Sequence, residues 1–343
     1  MTLHVAPFEG TSAEWDVAAR SFAGWTHFHL WGWRRVIESV HHHECTYLGA
    51  SGPNGALEGI LPLVRIKSPL FGHYLVSMPF LNYGGPLGSD DAVRALTAEA
   101  VSLAERRGVK LLELRSAQQL PVDLPVSHRK ITVLLDIPAG GPDALFQTFK
   151  AKLRSQIRRP EKEGVSVRLG PDQVKPFFAV FSRHMRDLGT PTQPRDLFEA
   201  VAAEFVDDAW FGCAYLGNTP IACGAGFRWE GQFEMTWASA LIDYNRIAPN
   251  MALYWGFMQR AASEGLTLFN FGRCTPDSGT HRFKQQWGGR DAPLHWYQYA
   301  PAGREAHTPS PHDGAYSWGP RLWRRLPVGV ANLLGPRIVR GIP

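Results

Sequence analysis

What the chain lacks narrows the possibilities first. Its four cysteines, Cys45, Cys213, Cys223 and Cys274, are scattered, and no two form a Cys-x-x-Cys pair. That argues against a disulfide framework and against a zinc knuckle. No apolar run reaches the roughly eighteen residues that a membrane-spanning helix needs. The first residues, MTLHVAPFEGTSAEW, show no basic segment followed by an apolar one, so the chain is expected in the cytoplasm. There is no Gly-x-Ser-x-Gly, no P-loop, no Gly-x-Gly-x-x-Gly and no His-Glu-x-x-His. Hydrolase, kinase, dehydrogenase and zinc-peptidase readings thereby lose their best support. His41-His42-His43 are consecutive, so their side chains diverge, and no metal site is expected there.

What is present is aromatic and mildly basic. Twelve tryptophans and nineteen phenylalanines furnish cores, and the formal net charge is +5. Such a charge suits an anionic partner or serves solubility. Apolar periodicity predicts helices over 11–24, 26–40, 90–107, 171–188, 195–205 and 249–264, and one over 142–163 bent or broken by Pro160. Strands are expected at 45–50, 56–66, 74–78, 110–115, 130–137, 165–169, 210–216, 221–229, 232–238 and 267–271. Helix 90–107, Gly108 and the strand Val-Lys-Leu-Leu-Glu-Leu-Arg parallel helix 249–264, Gly265 and Leu-Thr-Leu-Phe-Asn-Phe-Gly-Arg. The order α–β–β–β–α–β occurs twice, which predicts two copies of one α/β unit. We divide the chain into 1–139, 140–300 and a Pro/Gly linker with a basic amphipathic tail at 301–343.

The stretch Leu268–Gly289 holds the densest chemistry. A strand, Leu268–Phe271, ends at Gly272, and Pro276-Asp277-Ser278-Gly279 is turn chemistry. Ser278 or Thr280 can cap the short helix that follows. On it Phe283 and Trp287 share one face, and His281 and Lys284 share another. Loops on a rigid scaffold carry function. A second segment, Met78–Leu87, contains Asn82, Tyr83, Gly84 and Gly85. Its paired glycines allow either close approach to a ligand or a tight strand exit. Lys150, Lys152, Arg154, Arg158, Arg159 and Lys162 could track phosphates or form a solvated helix face. The tail RLWRRLPVGVANLLGPRIVRGIP carries five arginines and no acid. It can lie on an anionic membrane surface or pack on the protein itself.

Three motifs together resemble one family. They are FGRCTPDSGTHRFKQQWGG, the helix start Pro249 to Trp255, and the basic KLRSQIRRPEKEGV stretch. They are similar to the FemAB-like transferases, in the form associated with exosortase and exopolysaccharide systems. The resemblance covers about residues 20–300. It implies an α/β fold of two tandem GNAT-like units, each a mixed, mostly antiparallel sheet flanked by helices, with a cleft between them. It also implies transfer of an aminoacyl or acyl group to an amine of a cell-envelope precursor, peptidoglycan in characterised members. The family's Phe-Lys pair falls on Phe283-Lys284, with Lys284 neutralising charge at the reacting ester. A cation held where an oxyanion forms is a sound catalytic device.

The remaining roles are expectations beside that one. His281 or Asp243 could take the amine's proton. Arg158, Arg273 and Arg282 suit phosphate or carboxylate contact, and Arg35 suits a precursor's diphosphate. Asn250 lies near a helix start, which can bind an anion. No bound cofactor is expected. The donor is aminoacyl-tRNA or acyl-CoA, and partners would be a lipid-linked saccharide or peptide precursor, with tRNA and a membrane surface as further candidates. Two features depart from the resemblance. The turn Arg246–Ala252 lacks the glycines of a coenzyme A loop, and 171–205 is short for the helical hairpin of tRNA-using members. The alternative is a non-catalytic module that binds an anionic precursor or RNA.

Overall fold

The computed structural model describes residues 3–301 and 319–343. Residues 3–130, 293–301 and 340–343 form one compact unit, and 131–292 with 319–339 form another. The Pro/Gly linker lies mostly outside the described residues.

The first unit begins with β1 (His4–Pro7) and α1 (Ser12–Ser21), which starts at a capping box between Thr11 and Glu14. Then come α2 (Gly32–His41), β2 (Glu44–Ser51), β3 (Leu57–Ser68), β4 (Gly72–Val76) and β5 (Leu87–Gly88). Helix α3 (Asp90–Arg107) is capped by Ser89 and stopped by Gly108 at φ 62°, a left-handed position that favours glycine. Strands β6 (Leu111–Ser116) and β7 (Val126–Ser127) follow. The apolar face of α3, with Val93, Leu96 and Ala100, packs on Leu61, Leu63 and Leu112 of the sheet.

The second unit starts with β8 (Ile131–Asp136), α4 (Gly141–Thr148), α5 (Ala151–Lys162) and β9 (Val165–Leu169). Next are α6 (Val174–Leu188), α7 (Arg195–Glu204), β10 (Ala209–Leu216), β11 (Thr219–Trp229) and β12 (Gln232–Ala240). Helix α8 (Pro249–Ser263), β13 (Leu268–Cys274), α9 (Gly279–Gln285) and β14 (Arg290–Pro293) complete its central part. Strand β15 (His295–Tyr299) belongs to the first unit's sheet, and α10 (Gly319–Trp323) and α11 (Val328–Val339) follow. Leu253, Phe257 and Ala261 of α8 bury against Phe233, Phe269 and Phe271.

The two sheets repeat one device. In the first, β4 runs parallel to β6, with α3 between them in sequence. In the second, β12 runs parallel to β13, with α8 between them. Each parallel register has three pairs, ending at Val76 opposite Glu113 and at Glu234 opposite Asn270. Strands β2 with β3, β3 with β4, β8 with β13, and β9 through β12 in succession pair antiparallel, so both sheets are mixed. The second sheet has the order β14-β8-β13-β12-β11-β10-β9.

Three features differ from the sequence reading. Strand β8, placed before the boundary at residue 139, pairs with β13 in the second sheet, Leu135 facing Phe269. Strand β15, placed in the second unit, pairs with β6 in the first. Pairing between residues so far apart in the chain leaves no local mark. Third, the helix expected over 142–163 divides at Phe149, not at Pro160. Phe149 takes ψ 144°, which turns its ring into the core against Trp255 and Trp287 at 5.9 and 5.7 Å. Pro160 is buried in the last turn of α5, where the chain is about to leave the helix anyway.

Candidate active site

Strand β13 does not stop at Gly272. It continues to Cys274 through an irregularity in its pairing with β8 between Asn270 and Arg273. Gly272 there has φ 69°, a left-handed conformation that a side chain would strain. The irregularity takes Gly272 out of the regular register, which resumes at Arg273 opposite Thr132, and a buried carbonyl there needs a donor. Lys284 supplies it. Its Nζ donates to the Gly272 oxygen at 2.6 Å and to the Arg273 oxygen at 3.0 Å.

Helix α9 positions that lysine. Ser278 caps it, Oγ accepting from the His281 N–H at 3.1 Å. Phe283 packs edge-on to Tyr254 at 5.0 Å, and Trp287 is buried against Phe149 and Phe271. With the aromatic face anchored, Lys284 is only 3% exposed. Desolvation lowers its pKa to about 8, opposed by the negative field of Cys274 and Glu234. The amine therefore stays mostly protonated at neutral pH and loses its proton as pH rises through about 8. Two of its three donors go to the carbonyls, and a third is available by valence to a developing oxyanion.

His281 is buried, and both of its ring nitrogens are engaged. Nδ1 accepts from the Asp277 N–H at 3.0 Å, so the proton sits on Nε2, which lies 3.0 Å from both Asp291 carboxylate oxygens. This ring braces the loop before α9 to the chain after it. It is not placed as a free base, the role considered for it from sequence.

A buried polar chain leads from Lys284 into the sheet. The Gly272 N–H donates to Asn270 Oδ1 at 2.9 Å, and Asn270 Nδ2 donates to Glu234 Oε2 at 2.9 Å. Thr132 of β8 also donates its hydroxyl to Asn270 Oδ1. Glu234 is fully buried and Asn270 is 3% exposed. They form the last pair of the β12–β13 register, after which β12 runs on to Ala240 and β13 to Cys274 without pairing to each other. Sequence reasoning missed Glu234 and Asn270. Their signal is a polar residue flanked by aromatic or apolar neighbours in each strand, Phe233-Glu-Met235 and Phe269-Asn-Phe271. It becomes visible only once the register sets the two opposite each other.

The other candidates divide by place. Arg273 lies on β13 beside the site, and Arg282 on α9 is exposed, donating to the Asp277 carbonyl at 2.9 Å. Asn250 is in the first turn of α8, whose preceding Arg246 carbonyl accepts from Arg159 at 2.7 Å. Arg158 lies exposed on α5, its guanidinium 4.9 Å over the Phe146 ring. Asp243 is ion-paired with Arg183 and exposed, which places it as a surface partner and not as a poised base. Arg35 is exposed on α2 of the first unit.

Asn82 and Tyr83, also in the first unit, are buried, and the Gly84 N–H donates to the Arg115 carbonyl at 3.0 Å. A Cβ at Gly84 would meet Met78 at 2.3 Å, and one at Gly85 would meet the Arg115 oxygen at 2.9 Å. These glycines let the segment lie against β6. The space beside them, lined by His29, Tyr83, Gly84, Gly85 and Ser116 among others, is about 20 Å³, the size of one water.

Residues 147–285 match the family profile of the acetyltransferase (GNAT) domain. No curated protein matches the chain significantly. Among solved structures, FemX aligns with a TM-score of 0.63 at 14% identity, over 87% of this chain and 97% of FemX. A tandem GNAT protein from the clavulanic acid biosynthesis pathway aligns with a TM-score of 0.52 at 13% identity, over 89% and 100%. The fold is that of a tandem GNAT protein. The C-terminal domain of a protein assigned as a lysylphosphatidylglycerol synthetase from Agrobacterium fabrum shares it, with a TM-score of 0.55 at 13% identity over 83% and 90%. The matched profile runs from the end of α4 to the end of α9, so Lys284 falls inside the matched region.

Proposed function

We propose that this chain is a transferase that moves an aminoacyl or acyl group onto an amine of a cell-envelope or exopolysaccharide precursor. The observation that carries the reading is the buried ammonium of Lys284, carried on a capped helix and held by the Gly272 and Arg273 carbonyls of β13 within the matched region. The amine attacks the donor's ester or thioester carbonyl, and the carbonyl oxygen becomes an oxyanion. Lys284 stabilises that charge as a preorganised cation in a water-poor site. Collapse releases the alcohol or thiol and leaves an amide. The family profile and the name of the Agrobacterium fabrum relative support the class of reaction.

The donor is aminoacyl-tRNA or acyl-CoA, held outside any bound cofactor. Helices α6 and α7, of 15 and 10 residues, are short for a long tRNA-binding hairpin, which favours the smaller donor. The first turn of α8, with Asn250 and the neighbouring Arg159, offers N–H groups and a guanidinium to a phosphate. We place the protein in the cytoplasm, with a lipid-linked precursor as acceptor.

Mass spectrometry of acceptor amines after incubation with candidate donors tests the proposal. Lys284→Met should abolish the mass gain while the thermal transition persists. Full transfer by that variant would remove Lys284 from the chemistry.

A second reading draws on the same contacts. The same two carbonyl bonds give Lys284 a structural task, which suits a non-catalytic module binding an anionic precursor or RNA. Salt-sensitive binding with no transfer from any donor would favour it.

A further inference from the structure

Helix α11 is turned inside out for a helix on a globular surface. Its small residues Ala331 and Gly335 face the body and are buried. They let the backbone come close: a Cβ on Gly335 would lie 2.9 Å from the Thr192 nitrogen. Asn332 donates to Ser182 of α6 at 3.3 Å, and Arg186 of α6 holds the Leu326 carbonyl at 2.8 Å. The helix is thus docked by its polar and small face.

The opposite face carries the aliphatics. Val330, Leu333 and Leu334 are 40%, 65% and 38% exposed. With Arg337 they follow helical spacing i, i+3, i+4, i+7, so they form one stripe. Leu322 of α10 adds another exposed aliphatic at 55%. Arg321, Arg324, Arg325 and Arg337 are all exposed, and residues 319–343 contain no Asp or Glu.

We propose that α10–α11 is a docking surface for an anionic phospholipid membrane, the aliphatic stripe entering the interface and the arginines meeting the headgroups. A helix with an apolar stripe and a basic flank binds membranes in that way. Charge complementarity selects the occupant. A stripe this apolar has no use against nucleic acid, and a face without a single carboxylate repels basic partners. The inference does not rest on the transfer chemistry. A protein that binds membranes without transferring anything would still satisfy it.

Vesicle flotation of the full chain decides it. The protein should float with vesicles of phosphatidylcholine containing about one-third phosphatidylglycerol, and not with phosphatidylcholine alone. The combined change Val330→Ser, Leu333→Ser and Leu334→Ser removes the stripe at exposed positions and leaves Ala331 and Gly335 in place. It should weaken binding roughly tenfold or more, with an unchanged melting temperature. Arg321→Gln with Arg325→Gln should weaken it by about twenty-five-fold at low salt, since each cation near the surface contributes about fivefold. The proposal fails if the parent does not float with anionic vesicles. It fails equally if the Ser variant binds them as strongly as the parent, because the face would then be a plain polyanion site.

Discussion

At the scale of single residues, the protonation of Lys284 makes the sharpest statement. Burial lowers its pKa to about 8, so the cation that would stabilise an oxyanion is lost as pH rises through that value. The kcat/KM for transfer should therefore fall above about pH 8. Lys284→Arg keeps its charge throughout, so whatever rate it retains should lack that alkaline limb. The same shift has a consequence for stability, with a definite sign. Between about 8 and the ordinary lysine value of 10.5 the unfolded chain holds a proton that the folded chain has released. Stability gains a rising contribution across that window, and the cost of the buried charge is present in full below it. Lys284→Met should abolish the rise, and denaturant melts at pH 7.5 and 9.5 measure it. Lys284 was legible in sequence because motif and helix spacing both pointed to it. Glu234 and Asn270 were not, since each reads as a solitary polar residue in an apolar strand until the register pairs them.

At the scale of elements, α9 shows how little structure positions the lysine. It has seven residues, too few to be stable alone, so its cap and its aromatic anchor decide where Nζ goes. Ser278→Ala should cost about 1 kcal/mol in chemical denaturation, the usual worth of such a cap. It should also reduce transfer, because a frayed first turn frees His281 from Asp277 and Asp291. Asp291→Asn should preserve the packing yet loosen the same brace, and a rate loss without loss of the alkaline limb would identify His281 as a positioning residue. The helix was readable from the Ser-Gly-Thr start and the Phe283–Trp287 spacing. The persistence of β13 past Gly272 was not, because glycine in a strand marks either an end or a bulge, and only Lys284 meeting its carbonyl tells them apart. The division at Phe149 was hidden in a similar way. Proline is a visible breaker, whereas an extended phenylalanine is set by the core it fills.

At the scale of the molecule, the repeat was legible and the ownership of its strands was not. Gly108 and Gly265 end matching helices in left-handed conformations, and the strands after them occupy matching places in two mixed sheets. Local sequence carries that much, because caps and periodicity are local. The antiparallel neighbours of those strands come from elsewhere: β15 beside β6, and β8 beside β13. A cut at residue 140 removes β8 from the second sheet. Strand β13 then loses the partner of Leu268, Phe269 and Asn270, Thr132 no longer binds Asn270, and β14 loses its neighbour. Apolar Val133 and Leu135 also leave a core that includes Phe269 and Trp287. A fragment 140–300 should accordingly aggregate or melt without a cooperative transition, since an apolar strand with an open edge invites association. A fragment 131–339 restores β8 and should melt cooperatively by circular dichroism. If 140–300 melts as sharply as the longer fragment, β8 is an ornament on the sheet, and the support it gives to Asn270, and through Gly272 to Lys284, is not needed.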